Sequence, residues 1–266
     1  MIKVTLEKQT HTYFLSDIHL GLDYHGETSA EREMILVDWL RSIEDHTTTI
    51  YFLGDIFDYW FEYGETQQPD YPAFFHQLRH MLRLGIKVYF FTGNHDLWMN
   101  DFFPGSFGIP VYKSPQIVTI ADQVFYLAHG DGLGKGDLKY KIMKKLMTNR
   151  LCQKLYGLIP AEKGLALMKS VSQRSRHRMD QNSFSSFEEE RLVNYCESHP
   201  ERAKVNYFLF GHRHLPIRYS LIESSAEYIN LGDWIHYKSY AYFDGTELHY
   251  RFLDGYPDKL LCNNRK

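Results

Sequence analysis

Five times along this chain, a short apolar run rich in β-branched and aromatic residues closes in a cluster of acidic, imidazole or amide side chains. The runs Thr12-Ser16, Ile50-Leu53, Val88-Thr92, Val124-Ala128 and Val205-Phe210 have the length and composition of buried strands. They lead into Asp17-Ile18-His19, Gly54-Asp55, Gly93-Asn94-His95-Asp96, His129-Gly130-Asp131 and Gly211-His212-Arg213-His214. Side-chain direction in an extended segment has a period of two, so both members of Asp17-x-His19 and of His212-x-His214 can face one ion. The glycines suit turns at which the backbone leaves a sheet and approaches a ligand closely.

Between the runs lie segments of helical pattern, Ala30-Ile43, Tyr71-Leu84 and Phe187-His199. A later series, Ile217-Ile222, Ala226-Leu231, Lys238-Phe243 and Glu247-Phe252, reads as further strands. Alternation of this kind predicts an α/β sandwich, and aromatic strands account for 20 Tyr and 18 Phe in 266 residues. No composition break marks a linker, so residues 1–266 are read as one domain. A net charge of -3 argues against bulk nucleic-acid binding, and no nucleic-acid partner is expected. Three widely spaced cysteines suggest no disulfide framework. With neither a signal-peptide pattern nor an apolar stretch of about 20 residues, the expectation is a cytoplasmic protein.

One segment differs from the rest. From Lys135 to Arg178 there are 12 Lys or Arg against two acids, Asp137 and Glu162. The segment is also amphipathic: Leu138, Ile142 and Leu146 recur every fourth residue, beside a track of Met143, Met147, Leu151 and Leu155. The stripe can belong to a helical pair packed on the core with a solvated basic face. Alternatively it can meet an apolar partner while the cations meet phosphates.

The order Asp-x-His, Gly-Asp, Gly-Asn-His-Asp, His-Gly-Asp, Gly-His-x-His resembles the calcineurin-like metallophosphoesterase superfamily from Ser16 to Trp234. The resemblance implies a four-layer αββα sandwich and two divalent metal ions, Mn²⁺ first, with Fe or Zn²⁺ as competitors because the donors include no thiolate. It puts Asp17, His19 and His214 on one ion and Asn94, His129 and His212 on the other, with Asp55 bridging. His95 then resembles the residue that stabilises the transition state or protonates the leaving oxygen, and Asp58 the carboxylate that orients it.

Within the superfamily, Gly54-Asp55-Ile56-Phe57-Asp58-Tyr59-Trp60 and Leu231-Gly232-Asp233-Trp234 are similar to stretches of the UDP-2,3-diacylglucosamine pyrophosphohydrolases of lipid A synthesis. That likeness implies a nucleotide-linked lipid substrate contacted by Asn94, Asp137, Tyr140 and His212, and an inserted helical lid over about 135-185. It also implies a monomer attached peripherally to the cytoplasmic face of a bacterial inner membrane. One departure stands out: where that family normally reads Gly-Asn-Arg-Asp, this chain has His95. A titratable imidazole replaces a guanidinium able to grip phosphate bidentately.

Overall fold

The computed structural model describes residues 11–62, 71–136, 138–160, 162–164, 166 and 184–263. The first sheet begins with β1 (His11–Leu15), β2 (Thr47–Leu53) and β3 (Lys87–Phe91), which run parallel. Crossovers α1 (Ser29–Ile43) and α2 (Pro72–Arg83) join them. Beyond α3 (Phe102–Phe107), β4 (Val111–Tyr112) closes one edge, while β10 (Ser239–Phe243) and β11 (Leu248–Phe252) close the other. The second sheet takes the order β12-β8-β9-β7-β6-β5. Its strands are β5 (Gln116–Ile120), β6 (Gln123–Leu127), β7 (Tyr207–Phe210), β8 (Pro216–Ser220), β9 (Glu227–Leu231) and β12 (Leu261–Cys262). After β6 come α4 (Leu138–Met147), α5 (Arg150–Tyr156) and α6 (Arg191–Glu197) among the described residues.

The period-two pattern of the strands sorts the core into layers. Phe14, Tyr51, Leu53 and Phe91 face Phe125, Leu127, Leu209, Ile229 and Leu231 between the two sheets. The alternate residues Tyr13, Leu15, Ile50, Phe52 and Phe90 pack under α1 and α2. On the outer side of the second sheet, Tyr126, Phe208 and Phe210 pack against Leu192, Val193 and Cys196 of α6. This is the expected αββα arrangement, and each buried aromatic or aliphatic side chain contributes about 1.5–3 kcal/mol. Thr28 and Glu31 form a reciprocal capping box that starts α1. The predicted helix Phe187-His199 is shorter, because residues 187–189 form a turn with the Glu189 N–H donating to Ser186 Oγ, 3.3 Å.

The amphipathic segment forms α4 and α5 as expected, but its stripe does not cover the core. Leu138, Ile142 and Leu146 are 70%, 53% and 58% exposed. Met147 and Tyr156 do pack inward, against Tyr59, Phe61, Leu97 and Trp98. Most residues from 161 to 183, and Asp137, lie outside the described residues, so the segment expected to form a lid, 135-185, is described only in part. No helix among the described residues is long and apolar enough to cross a membrane.

Candidate metal centre

All the polar clusters follow the C-terminal ends of parallel strands: β1, β2 and β3 in one sheet, β6 and β7 in the other. They therefore converge at one end of the seam between the sheets, the usual place for a ligand in an α/β fold. The loops leave the strands through strained backbone. Asp17, His19, Asp55, His212 and His214 have φ of 55, 53, 52, 69 and 53°, in the left-handed region that residues with a Cβ rarely occupy. Such conformations cost about 1–3 kcal/mol each and persist only where surrounding contacts enforce them. Several such contacts are visible. The N–H groups of Asp17 and Ile18 donate to the carbonyls of Gly54 and Asp55 at 3.1 and 2.9 Å, and the Trp234 N–H donates to the Asp17 carbonyl at 2.9 Å. Arg32 of α1, fully buried, donates to the carbonyls of His19 and Leu22 at 3.1 and 2.7 Å.

The side chains meet in two lobes that share Asp55. In the first, Asp17 Oδ1 lies 3.3 Å from His214 Nε2 and 3.9 Å from His19 Nε2. In the second, Asn94 Oδ1 is 3.2 Å from His129 Nε2 and 2.9 Å from His212 Nδ1. Asp55 Oδ2 is 3.2 Å from His129 Nε2 and 3.9 Å from His19 Nε2, so it reaches both lobes. Asp17 Oδ1 and His19 Nε2 are buried with no hydrogen-bond partner. An unsatisfied buried polar atom costs about 1–3 kcal/mol, and two of them side by side are what a cation-binding pocket leaves for its ion. Carboxylate, amide and imidazole donors fit a divalent cation, and all seven expected ligand positions are brought together.

A second ring of groups fixes these donors. Asp58 Oδ1 accepts from His19 Nδ1 at 3.2 Å, Asp233 Oδ2 from His214 Nδ1 at 3.1 Å, and the Leu53 carbonyl from His129 Nδ1 at 2.8 Å. Each bond leaves Nε2 facing the centre, as ligating histidines require. Asp58 was expected to orient His95. Its Oδ1 lies between the two rings, 3.2 Å from His19 Nδ1 and 3.5 Å from His95 Nδ1, and its backbone carbonyl also accepts from His95 Nδ1 at 3.0 Å. Asp96, Asp233 and Arg32 had no role in the sequence reading. Asp96 accepts the N–H groups of Gly93 and Ile56 at 2.7 and 2.9 Å, tying the loops after β3 and β2 together. Two glycines are forced by crowding: a Cβ at Gly93 would fall on the Asp55 carboxylate, and one at Gly211 on Ser16 and Asp17.

Electrostatics also point to a missing positive charge. Burial works to lower His129 and His214, but the carboxylates of Asp55 and of Asp17 with Asp233 overcome it and raise them to about 10 and about 9. His212, with burial and the neighbouring His129 acting together, falls to about 3. Without metal, protons on His129 and His214 thus balance the buried carboxylates. Their raised pKa stabilises the metal-free fold fully below the ordinary 6.5, and this contribution is lost as pH rises through about 9 to 10. A divalent cation must displace the same protons. Between pH 6.5 and about 9, the metal-free Tm is therefore expected to fall while the Tm gain on adding a divalent cation grows, each on the order of 5 °C. Scanning fluorimetry of chelator-treated protein checks this; a pH-independent gain would contradict the proton-for-metal exchange.

The helix α4 is tied to this centre. Asp131, two residues after His129 and buried, accepts from Tyr140 Oη and from Lys144 Nζ, both at 2.5 Å. The Tyr140 ring lies 6.4 Å from that of His212, which brings this expected substrate contact to the edge of the second lobe. At the other end of α4, the Trp98 indole N–H donates to the Met147 carbonyl at 2.5 Å, and the hydroxyls of Tyr59 and Tyr156 share a 3.2 Å hydrogen bond.

The sequence pattern of the calcineurin-like phosphoesterases matches residues 10–216. A UDP-2,3-diacylglucosamine hydrolase of Porphyromonas gingivalis is 34% identical over 251 residues, which cover 89% of this chain and 95% of that protein. One of Haemophilus influenzae is 27% identical over 237 residues, covering 87% and 92%.

Proposed function

From the premise that the chain belongs to the calcineurin-like phosphoesterase family, we propose that it hydrolyses the pyrophosphate of UDP-2,3-diacylglucosamine to UMP and 2,3-diacylglucosamine 1-phosphate. The observation that carries the substrate is the likeness to UDP-2,3-diacylglucosamine hydrolases across nearly the whole of both chains. In this reading Asp17, His19 and His214 hold one divalent cation, Asn94, His129 and His212 hold a second, and Asp55 serves both. Mn²⁺ is the favoured ion, with Fe or Zn²⁺ as competitors. Cations held there supply Lewis acidity toward water and the phosphoryl oxygens.

The remaining work falls to the chain's own groups. Water adds to one phosphorus and the bridging P–O bond breaks. His95, its Nδ1 fixed by the Asp58 carbonyl, presents Nε2 to hold or deliver a proton at the departing oxygen. Asp58 keeps its carboxylate on His19. Asn94 and His212 border the phosphate, and Tyr140 borders the sugar; Asp137 is kept as a sugar contact on the family likeness alone. Residues 1–266 act as one domain with a lid over 135-185. The outward Leu138, Ile142 and Leu146 and the exposed Lys145 of α4 support peripheral attachment to the cytoplasmic face of an inner membrane, with lid apolar residues alongside acyl chains and the protein a monomer.

His95 in place of the arginine expected of close relatives favours one second reading, a different nucleotide-diphospho compound cleaved by the same centre. The two are separated by incubating Mn²⁺-loaded protein with UDP-2,3-diacylglucosamine in detergent and following UMP. Rapid, chelator-sensitive release is expected. No UMP, with aryl phosphodiesters still cleaved, would remove the lipid substrate and leave the metal chemistry.

A further inference from the structure

Apart from the metal centre, a cleft of about 1130 Å³ opens between α5 and the segment running from Phe61 through the start of α3 to β4. Three cations line it: Lys113 from the core side, Arg150 and Lys154 from α5. Among the described residues none of the three takes part in an ion pair, and Lys113 is bonded only to the neutral Asn100 side chain. Two acids, Glu62 and Asp101, also line the cleft. Glu62 is already engaged, accepting the backbone N–H groups of Asn100 and Asp101 at 2.7 and 2.8 Å and the Trp60 indole at 3.3 Å. Glu62 and Asp101 attract Lys113 while Arg150 repels it, so three cations against two acids leave the cleft a net positive charge that an anion would complement.

The apolar surroundings narrow the class of anion. Phe61, Phe102 and Leu158 share the lining. Leu151, Leu155 and Leu158 follow one another by four and three residues along α5 and the turn after it, and all are exposed, Leu158 by 80%. Arg150 and Lys154 sit one residue before Leu151 and Leu155, hence on the adjoining face. Leucines turned outward with cations beside them is how an interfacial helix meets a lipid surface, apolar residues in the acyl region and cations at the phosphates.

We propose that Lys113, Arg150 and Lys154 form a phosphate-binding cleft that seats the headgroup of an anionic glycerophospholipid when the leucines of α5 enter a bilayer. The site is separate from the one that cleaves the substrate, and the proposal rests on the peripheral-membrane reading given above. It accounts for why the cations of α5 gather at a cleft rather than spreading over the helix.

The test compares metal-loaded Arg150→Glu/Lys154→Glu with Arg83→Glu/Lys87→Glu, an equal charge change at exposed positions outside both the cleft and the lid. Sedimentation with vesicles of phosphatidylcholine containing phosphatidylglycerol, against phosphatidylcholine alone, reads binding. The cleft pair is expected to lose affinity for the anionic vesicles by at least about tenfold, the control pair by about threefold or less. Titration with inorganic phosphate at constant ionic strength distinguishes the source. Loss of phosphate binding in the cleft pair with unchanged vesicle binding keeps the phosphate site and replaces the lipid by a soluble ester. Equal losses in both pairs, or none in either, overturn it. UMP release from detergent-dispersed substrate is expected to be unchanged in both pairs, so a failure here is distinguishable from a failure of the hydrolase reading.

Discussion

Replacing Asp55 by Asn is expected to lower phosphoester hydrolysis by about 10³-fold or more, equivalent to roughly 4 kcal/mol of transition-state stabilisation. Asp55 Oδ2 approaches both lobes of the centre, 3.2 Å from His129 and 3.9 Å from His19. Asn can still accept the His95 N–H that now reaches Oδ1 at 2.8 Å, so the loop after β3 has its anchor. What would be lost is the negative charge that Asp55 offers to both lobes in the proposed two-cation centre, and an amide N–H₂ turned toward a cation would repel rather than bind. Metal content measured alongside kcat should fall below two equivalents. A variant that keeps two tightly bound ions and activity within tenfold would show that Asp55 does not bridge.

Replacing His95 by Ala is expected to lower kcat by about 10²–10⁴-fold, the range for a general acid. Metal content should be largely unchanged, because Nδ1 donates to the Asp58 carbonyl and the ring meets the first lobe only edge-on, 4.7 Å from the His19 ring. This split between turnover and metal separates His95 from the ligands. His95→Arg should recover a large part of the loss if the position mainly steadies phosphate charge, since a guanidinium does that well. It should recover little if the imidazole's proton is what the departing oxygen needs. Activity of the Ala variant within a few fold of the parent would remove His95 from the chemistry altogether.

The strands and the centre were readable because their signals are local. A buried parallel strand is a short apolar run whatever surrounds it, and the polar clusters follow directly on those runs. The extended pairing expected of Asp17-x-His19 and His212-x-His214 did not form: all four residues take left-handed φ, and His212 and His214 fall in different lobes. The two-residue strands β4 and β12 carry no periodicity and were missed, as were β5 and the short α3. The supporting groups were invisible for another reason. Arg32 acts on the carbonyl of His19 from a helix, and Asp96 gathers N–H groups of residues about 40 positions earlier, contacts that exist only after folding. Asp233 was inside a stretch already singled out, Leu231-Gly232-Asp233-Trp234, yet nothing in that stretch says that its carboxylate holds His214. The pattern of α4 announced an apolar face without saying what it meets, and in the structure that face turns to solvent.

The seam between the sheets has one further consequence. Asp17, His19, Asp55 and Asn94 stand on loops of the first sheet, His129, His212 and His214 on loops of the second, and the first sheet is itself completed by β10 and β11 near the end of the chain. Chains are made and begin to fold from the N-terminus. A ribosome-bound fragment can therefore hold most of the donor residues and still lack any pocket in which they meet. The pocket is therefore expected to form only once β10 and β11 have paired beside β1, after all seven donors have been made.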